Sequence, residues 1–168
     1  MISMRELLII RHAIAYERDT TRWPTDDDRP LTDAGIKKFR RVARHLSALV
    51  PVPDEVLSSP LKRATQTARV LRRRAGFPRA RELPALRPNG STEELIAALA
   101  GRKATCVAIV GHEPSLSRLV AALLGAQDPK LFRLKKGGVA WLSFDAKPRQ
   151  GAATLRAWLP PRVVASKK

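Results

Sequence analysis

The sequence has few cysteines and lacks a long apolar run. Its one cysteine, Cys106, has no partner for an intramolecular disulfide bond, which excludes a disulfide-stapled fold. Near the start, only Leu7 to Ile10 are consecutively apolar, too short a run for a signal-peptide core or a membrane span. We therefore expect a cytoplasmic protein with no membrane partner, in which Cys106 is a buried and unreactive thiol.

Acidic and aromatic residues are also scarce. Fifteen Asp and Glu stand against 32 Lys and Arg, a formal net charge of +17 in 168 residues. Such an excess attracts polyanions, so we expect non-specific polyanion binding through the basic surface. Three Trp, one Tyr and four Phe residues are too few to provide base-stacking platforms, and no recognition helix is evident. Specific nucleic-acid binding is therefore not expected.

Alternating apolar runs and amphipathic segments predict an α/β fold. We expect strands at Leu7 to Ile10, Asp54 to Ser58, 79 to 84, Thr105 to Val110, Val139 to Phe144 and Thr154 to Leu159. Helices are expected over 33 to 49, from Ser59-Pro60 to Ala75, over 91 to 100 and from Pro114 to Leu124. This alternation predicts a mostly parallel sheet flanked by helices on both faces. The length predicts one domain over residues 1–160, and a basic tail that frays over 161–168.

Two histidines follow strongly apolar runs. Arg11-His12-Ala13 comes directly after the first predicted strand, and Gly111-His112-Glu113-Pro114 comes directly after the run that ends at Val110. Because ligands of open α/β sheets bind at the carboxyl ends of the strands, both imidazoles can reach one pocket. His45 lacks such a context, since it lies on the basic side of a predicted helix.

These two motifs and the segment Ser-Ser-Pro-Leu-Lys-Arg-Ala-Thr-Gln-Thr-Ala at 58 to 68 together resemble the histidine phosphatase superfamily. They occur in the family's order and spacing over most of the chain. The short length, the Arg-His-Ala variant and the segment Leu86 to Gly90 resemble the small SixA-like phosphohistidine phosphatase branch. The resemblance implies a phosphoglycerate mutase-like fold without a large inserted helical lid, and a phosphatase that needs no metal and no cofactor.

The resemblance also implies roles for individual residues. His12 matches the family's nucleophile, and His112 matches the partner that donates hydrogen bonds to the phosphoryl group. Arg11 and Arg63 fit a phosphate clamp on chemical grounds, because a guanidinium stays charged and bonds two oxygens at once. Arg63 lies in the first predicted turn of a helix, where backbone amides also favour an anion.

The proton donor for the leaving group stays unassigned. Glu17, Asp19 and the triplet Asp26 to Asp28 all lie in the long loop predicted over 13 to 31, and nothing in the sequence selects one of them.

The hypothesis favoured by the sequence is a phosphatase acting on phosphohistidine in a signalling or phosphotransfer protein. The alternatives are a phosphomonoesterase for a small anion, such as a sugar phosphate, nucleotide or polyphosphate, and a non-catalytic polyanion-binding protein.

Overall fold

The computed structural model describes residues 4–166, in which six strands form one mixed sheet. The strands are β1 (Glu6–Arg11), β2 (Glu55–Ser58), β3 (Arg81–Glu82), β4 (Cys106–Gly111), β5 (Val139–Phe144) and β6 (Ala153–Leu159). Their order across the sheet is β3-β2-β4-β1-β5-β6. The first four are parallel to one another, whereas β5 and β6 extend the sheet in antiparallel fashion. The predicted mostly parallel sheet is therefore confirmed.

Helices cover both faces of the sheet, as predicted. They are α1 (Asp33–Leu46), α2 (Lys62–Ala75), α3 (Thr92–Ala100), α4 (Ser115–Leu124) and α5 (Pro161–Ala165). Side chains alternate across a strand, so Leu8 and Ile10 of β1 join the core beneath α1, α2 and α5, and Leu7 and Ile9 join the core beneath α3 and α4. All four side chains are fully buried, which explains the uninterrupted apolar run.

The start of α2 differs from the prediction. The helix begins at Lys62, and its N-cap residue is Leu61, whose backbone is extended at φ −64° and ψ 135°. Ser59 is therefore not the N-cap, and Pro60 is not the first helical residue. The Ser59 hydroxyl accepts a hydrogen bond from the Leu61 amide at 3.3 Å and also bonds to His112. The serine thus serves the strand-end site rather than the helix terminus.

The chain end and two boundaries also differ. Pro161–Ala165 forms α5 where we expected a frayed tail, because Val164 is fully buried in the core beside α1. Lys167 and Lys168 of that predicted tail lie outside the described residues. Helix α1 ends at Leu46 rather than at 49, and β3 is shorter than the predicted strand over 79 to 84.

Two other expectations concern Cys106 and the membrane. Cys106 is buried, and its burial, together with the negative charges of Asp54 and Glu6, raises the pKa of its thiol to about 12. The predicted buried, unreactive thiol agrees with this environment. Across residues 4–166, every helix is too short or too polar to cross a membrane.

Candidate active site

The pairing of β1 with β4 brings the two predicted site histidines together. In the parallel register Arg11 lies opposite Gly111, so the residues that follow, His12 and His112, are neighbours at the carboxyl edge of the sheet. The centroids of their imidazole rings are 5.1 Å apart. Arg63 comes from the first turn of α2, directly after β2, which is the other neighbour of β4. Three strand ends therefore supply the four predicted side chains.

The hydrogen bonding of His12 determines which ring nitrogen can react. Its Nδ1 lies 2.7 Å from the carbonyl oxygen of Ala13. A carbonyl only accepts, so Nδ1 carries the proton and the lone pair is on Nε2. Burial, together with the positive charges of Arg63 and Arg11, lowers the pKa of His12 to about 3. The hydrogen bond to Ala13 raises the pKa but is outweighed. The ring is therefore neutral near pH 7, as a nucleophile must be.

His112 is even more enclosed, with 2% of its surface exposed. Its Nε2 lies 2.8 Å from Ser59 Oγ, and its Nδ1 is buried without a hydrogen-bond partner. Burial, together with His12 and Arg63, lowers the pKa of His112 to about 2. His112 is thus a neutral imidazole with one nitrogen held by a serine and the other available to a ligand.

The two arginines are held by backbone and carboxylate oxygens. Arg63 donates from Nη1 to the carbonyl of Asp26 and from Nη2 to the Asp26 carboxylate, both at 2.8 Å. Arg11 donates from Nη1 to the carbonyl of Leu134 at 2.7 Å. Burial lowers the pKa of both guanidinium groups, but arginine stays charged in proteins. Both positive charges act on both imidazoles, since they depress the pKa of each ring.

Three of the four predicted site residues contain a buried polar atom without a hydrogen-bond partner. Within residues 4–166, the buried side-chain nitrogen or oxygen atoms that lack a hydrogen-bond partner are Arg11 Nε, Arg63 Nε and His112 Nδ1. Buried polar groups are ordinarily paired, and exceptions call for an explanation. A guanidinium nitrogen can only donate, so its missing partner must be an acceptor. A phosphoryl group, with several anionic oxygens, meets that requirement.

Among the carboxylates that the sequence left open, Asp26 is the one that contacts a site residue in the described part of the chain. Burial raises its pKa, but the hydrogen bond from Arg29 and the charges of Arg63 and Arg29 outweigh this, and the net pKa is lowered. Asp26 is therefore ionised near neutral pH and holds no proton to donate. Its two salt bridges, at 2.7 Å to Arg29 and 2.8 Å to Arg63, hold these two side chains in place.

The other candidate acids serve the loop itself or the surface. Asp19 accepts from the amides of Thr21 and Arg22, and Asp28 accepts from the hydroxyl of Thr25. Asp27 pairs with Arg87 at 2.9 Å on the surface, and Glu17 is exposed. In the described residues, no three or more His, Cys, Asp or Glu side chains are grouped closely enough to hold a metal ion.

Sequence reasoning missed two supporting residues. Thr67 Oγ1 accepts from the Ala13 amide at 3.0 Å and donates to the Arg63 carbonyl at 2.7 Å, so it links the His12 loop to α2. Glu113 accepts from the Leu134 amide at 2.9 Å and from the Ser117 hydroxyl at 2.6 Å. Both lie inside the quoted motifs, but Ala13 and Leu134 are distant from them in sequence, so spacing alone could not reveal these two bonds.

Known proteins resemble this chain over nearly its whole length. A family model described as the histidine phosphatase superfamily (branch 1) matches residues 7–95. An uncharacterized protein of Picosynechococcus sp. is 35% identical over 155 residues, which cover 90% of this chain and 89% of that protein.

Solved structures give the same picture. The protein histidine phosphatase SixA, in complex with tungstate, is 28% identical with a TM-score of 0.80 over 94% of this chain and 97% of that one. The alpha-ribazole phosphatase from Shigella flexneri is 22% identical, with a TM-score of 0.71 over 93% and 96% of the two chains, a likeness of fold. The predicted phosphoglycerate mutase-like fold and the resemblance to SixA-like proteins are thereby confirmed.

Proposed function

This chain is a phosphatase of the histidine phosphatase superfamily, and on that premise we propose that it hydrolyses phosphohistidine in a cytoplasmic signalling or phosphotransfer protein. The proposed reaction passes through a phosphohistidine on His12 and needs no metal ion or cofactor. One observation carries the proposal: the unpartnered buried nitrogens of Arg11, Arg63 and His112 accompany a neutral imidazole 5.1 Å from a second one. This set offers hydrogen-bond donors for an anion beside a nucleophile.

In the first step, His12 Nε2 attacks the phosphorus atom of the substrate. A new N–P bond forms on His12 while the N–P bond to the substrate imidazole breaks. The Ala13 carbonyl, which accepts from His12 Nδ1, stabilises the positive charge that develops on the ring. Arg11, Arg63 and His112 stabilise the equatorial oxygens, where the transition state spreads its charge.

The leaving imidazole must gain a proton. Asp26 is ionised and cannot supply it, so we propose that a solvent water molecule does, and that the hydroxide left behind takes up the proton that orthophosphate loses after the second step. A second water molecule then attacks the phosphorus atom on His12, which releases orthophosphate and regenerates the neutral ring. Dividing the displacement into two steps is the usual benefit of a covalent intermediate.

The similarity to SixA supports phosphohistidine as the substrate group. The site also lacks a large inserted helical lid in residues 4–166, where α1 to α5 all pack on the sheet or on one another. An active site without such a lid is accessible to a group carried on the surface of another protein. Both observations favour a protein substrate.

One observation favours the second candidate, a small phosphate compound. A cavity of about 620 Å³ adjoins Arg11, and cavities of roughly 300 to 1,000 Å³ commonly hold small ligands. The alpha-ribazole phosphatase fold likeness is compatible with this candidate. The two candidates differ in which substrate class is turned over faster.

The test compares a phosphohistidine-containing phosphotransfer protein with a panel of sugar phosphates and nucleotides, with and without a chelator. We expect kcat/KM to be highest for the phosphoprotein and to be unchanged by the chelator. Faster turnover of a small ester than of the phosphoprotein would contradict the proposal and favour a small phosphate compound as the substrate. Activity that disappears with the chelator would contradict metal independence, and no turnover of any substrate would indicate a non-catalytic polyanion binder.

The role of Asp26 gives a separate prediction. If Asp26 positions Arg63, then Asp26→Asn keeps an acceptor oxygen for Nη2 and retains most of the activity, whereas Asp26→Ala lowers kcat by roughly tenfold, the cost of one lost charge-assisted hydrogen bond. The measurement is kcat for both variants across a pH series. A general acid would be lost equally in both, together with the alkaline limb of the pH profile, and that result would contradict the positioning role.

A further inference from the structure

A basic loop lies beside the proposed phosphate clamp. The cavity of about 620 Å³ that adjoins Arg11 is lined by Arg11, Ile14, Arg133, Leu134, Lys135 and Lys136. Four of these six residues are cationic and none is acidic. The three additional cations follow one another closely in the segment between α4 and β5, which we name the basic loop (Arg133 to Lys136). Of the four predicted site residues, Arg11 is the one that lines this cavity.

Hydrogen bonds of the main chain fix the basic loop, and Gly137 directly after it, to the carboxyl ends of β1 and β4. The Gly137 amide donates to the carbonyls of Arg11 and His12, both at 3.1 Å. Leu134 accepts from the Arg11 side chain, and its own amide donates to Glu113. Gly137 adopts φ +80°, a left-handed conformation that glycine adopts without strain. The loop backbone is thus tied on both sides to the residues that carry His12 and His112.

The three cations of this loop are free to bind a ligand. Arg133 and Lys135 are exposed and Lys136 is partly exposed. Within residues 4–166, none of the three forms a salt bridge. The nearby carboxylate is Glu113, and its oxygens are taken by the Leu134 amide and by Ser117.

The positive charges of the basic loop influence two residues of the candidate active site. The charge of Arg133 lowers the pKa of Arg11, and that of Lys136 contributes to the lowered pKa of His12. Because the cavity that these cations line adjoins Arg11, a negative group bound there would lie next to a phosphoryl group held by Arg11.

We propose that Arg133, Lys135 and Lys136 form a second anion subsite, which binds carboxylates that flank the phosphohistidine in an acidic segment of the substrate protein. This inference rests on the proposed function and adds a requirement for the sequence around the phosphorylated residue. Three cationic side chains from four consecutive residues offer separate positions for several carboxylates of a peptide. Lysine ammonium groups are point charges on flexible stems, which suit carboxylates at variable positions.

The experiment uses two phosphohistidine peptides of equal length. One has Asp and Glu around the phosphohistidine, and the other has Asn and Gln at the same positions. We compare kcat/KM for both peptides in the unaltered protein, in R133Q/K135Q/K136Q and in the control R72Q/R73Q/R74Q. The control removes the same charge from exposed positions of α2, roughly 14 to 17 Å along the helix from Arg63. Thermal unfolding verifies that all variants are folded.

We expect the unaltered protein to prefer the acidic peptide by about tenfold, since an exposed ion pair contributes roughly two- to fivefold and three are available. The preference falls to about twofold or less in the basic-loop variant and is retained in the α2 control. A charge reversal, R133E/K135E/K136E, should instead prefer a peptide with lysines at these positions. A gain of that kind cannot come from a folding defect.

Equal turnover of both peptides by the unaltered protein would overturn the subsite and leave the proposed function intact. An equal loss of preference in the α2 control would also overturn it, because general attraction by the net charge of +17 would then explain the effect. Turnover of phenyl phosphate but of neither peptide would overturn the proposed substrate class together with the subsite.

Discussion

Replacing His12 with alanine is expected to lower kcat by at least about 10⁴-fold, the scale on which loss of a catalytic nucleophile is felt. The reason is that Nε2 holds the lone pair, while Nδ1 is committed to the Ala13 carbonyl. His112 does not replace it in the proposed mechanism, because its Nε2 is bonded to Ser59 and its unpartnered Nδ1 donates to the phosphoryl group. Rapid quench with a ³²P-labelled phosphohistidine protein should show label on the unaltered enzyme that is alkali-stable and acid-labile. The variant should show no such label.

The matched control for this experiment is His45→Ala. His45 lies on α1, away from the strand-end site, and its loss should leave both kcat and the labelled intermediate unchanged. His112→Ala should slow labelling without abolishing it, because this ring stabilises the phosphoryl group rather than bonding to it covalently. Full labelling of His12→Ala would contradict the nucleophile assignment, and labelling lost only in His112→Ala would exchange the two roles.

The fold was largely predictable because local signals agree with the tertiary structure. Leu7 to Ile10 is apolar at each position since helices cover both faces of β1. Gly76 and Gly125 end α2 and α4 at φ 71°, a conformation that glycine adopts readily. Helix α5 was missed for the opposite reason: it is only five residues long and only Val164 is deeply buried there, which is too little to give a periodic signal.

The proximity of the candidate site's charged and imidazole side chains was predictable, but the groups that hold them in place were not. Motifs at strand ends identify His12 and His112, because the sheet topology brings those ends together. The Asp26–Arg63 pair joins residues 37 positions apart, and no local pattern encodes it. Ser59 shows why the start of α2 was misread: a serine before a proline resembles a helix cap, but here its hydroxyl bonds to His112. Local rules fail most often at functional sites of this kind.

Replacing Arg63 with alanine is expected to produce the second largest loss, about 10³-fold in kcat/KM, a magnitude typical of removing one preorganised charge-stabilising group. Arg63 is buried, its two terminal nitrogens are held by Asp26, and its Nε lacks a partner. Arg63→Lys retains the charge but cannot keep both contacts to Asp26 while also reaching a phosphoryl oxygen. We therefore expect the lysine variant to recover no more than about tenfold of the loss.

The control for Arg63→Ala is Arg73→Ala, which removes the same charge from an exposed position about 15 Å further along α2. This control should change kcat/KM by less than about twofold at moderate salt, because surface charges are screened beyond roughly 10 Å. The measurement is the salt dependence of kcat/KM for both variants with the same phosphoprotein. An Arg63→Lys enzyme of full activity, or an Arg73→Ala loss as large as that of Arg63→Ala, would mean that Arg63 acts through general charge. In that case the guanidinium does not clamp the phosphoryl group, and the geometry around Asp26 would have to be explained as a purely structural ion pair.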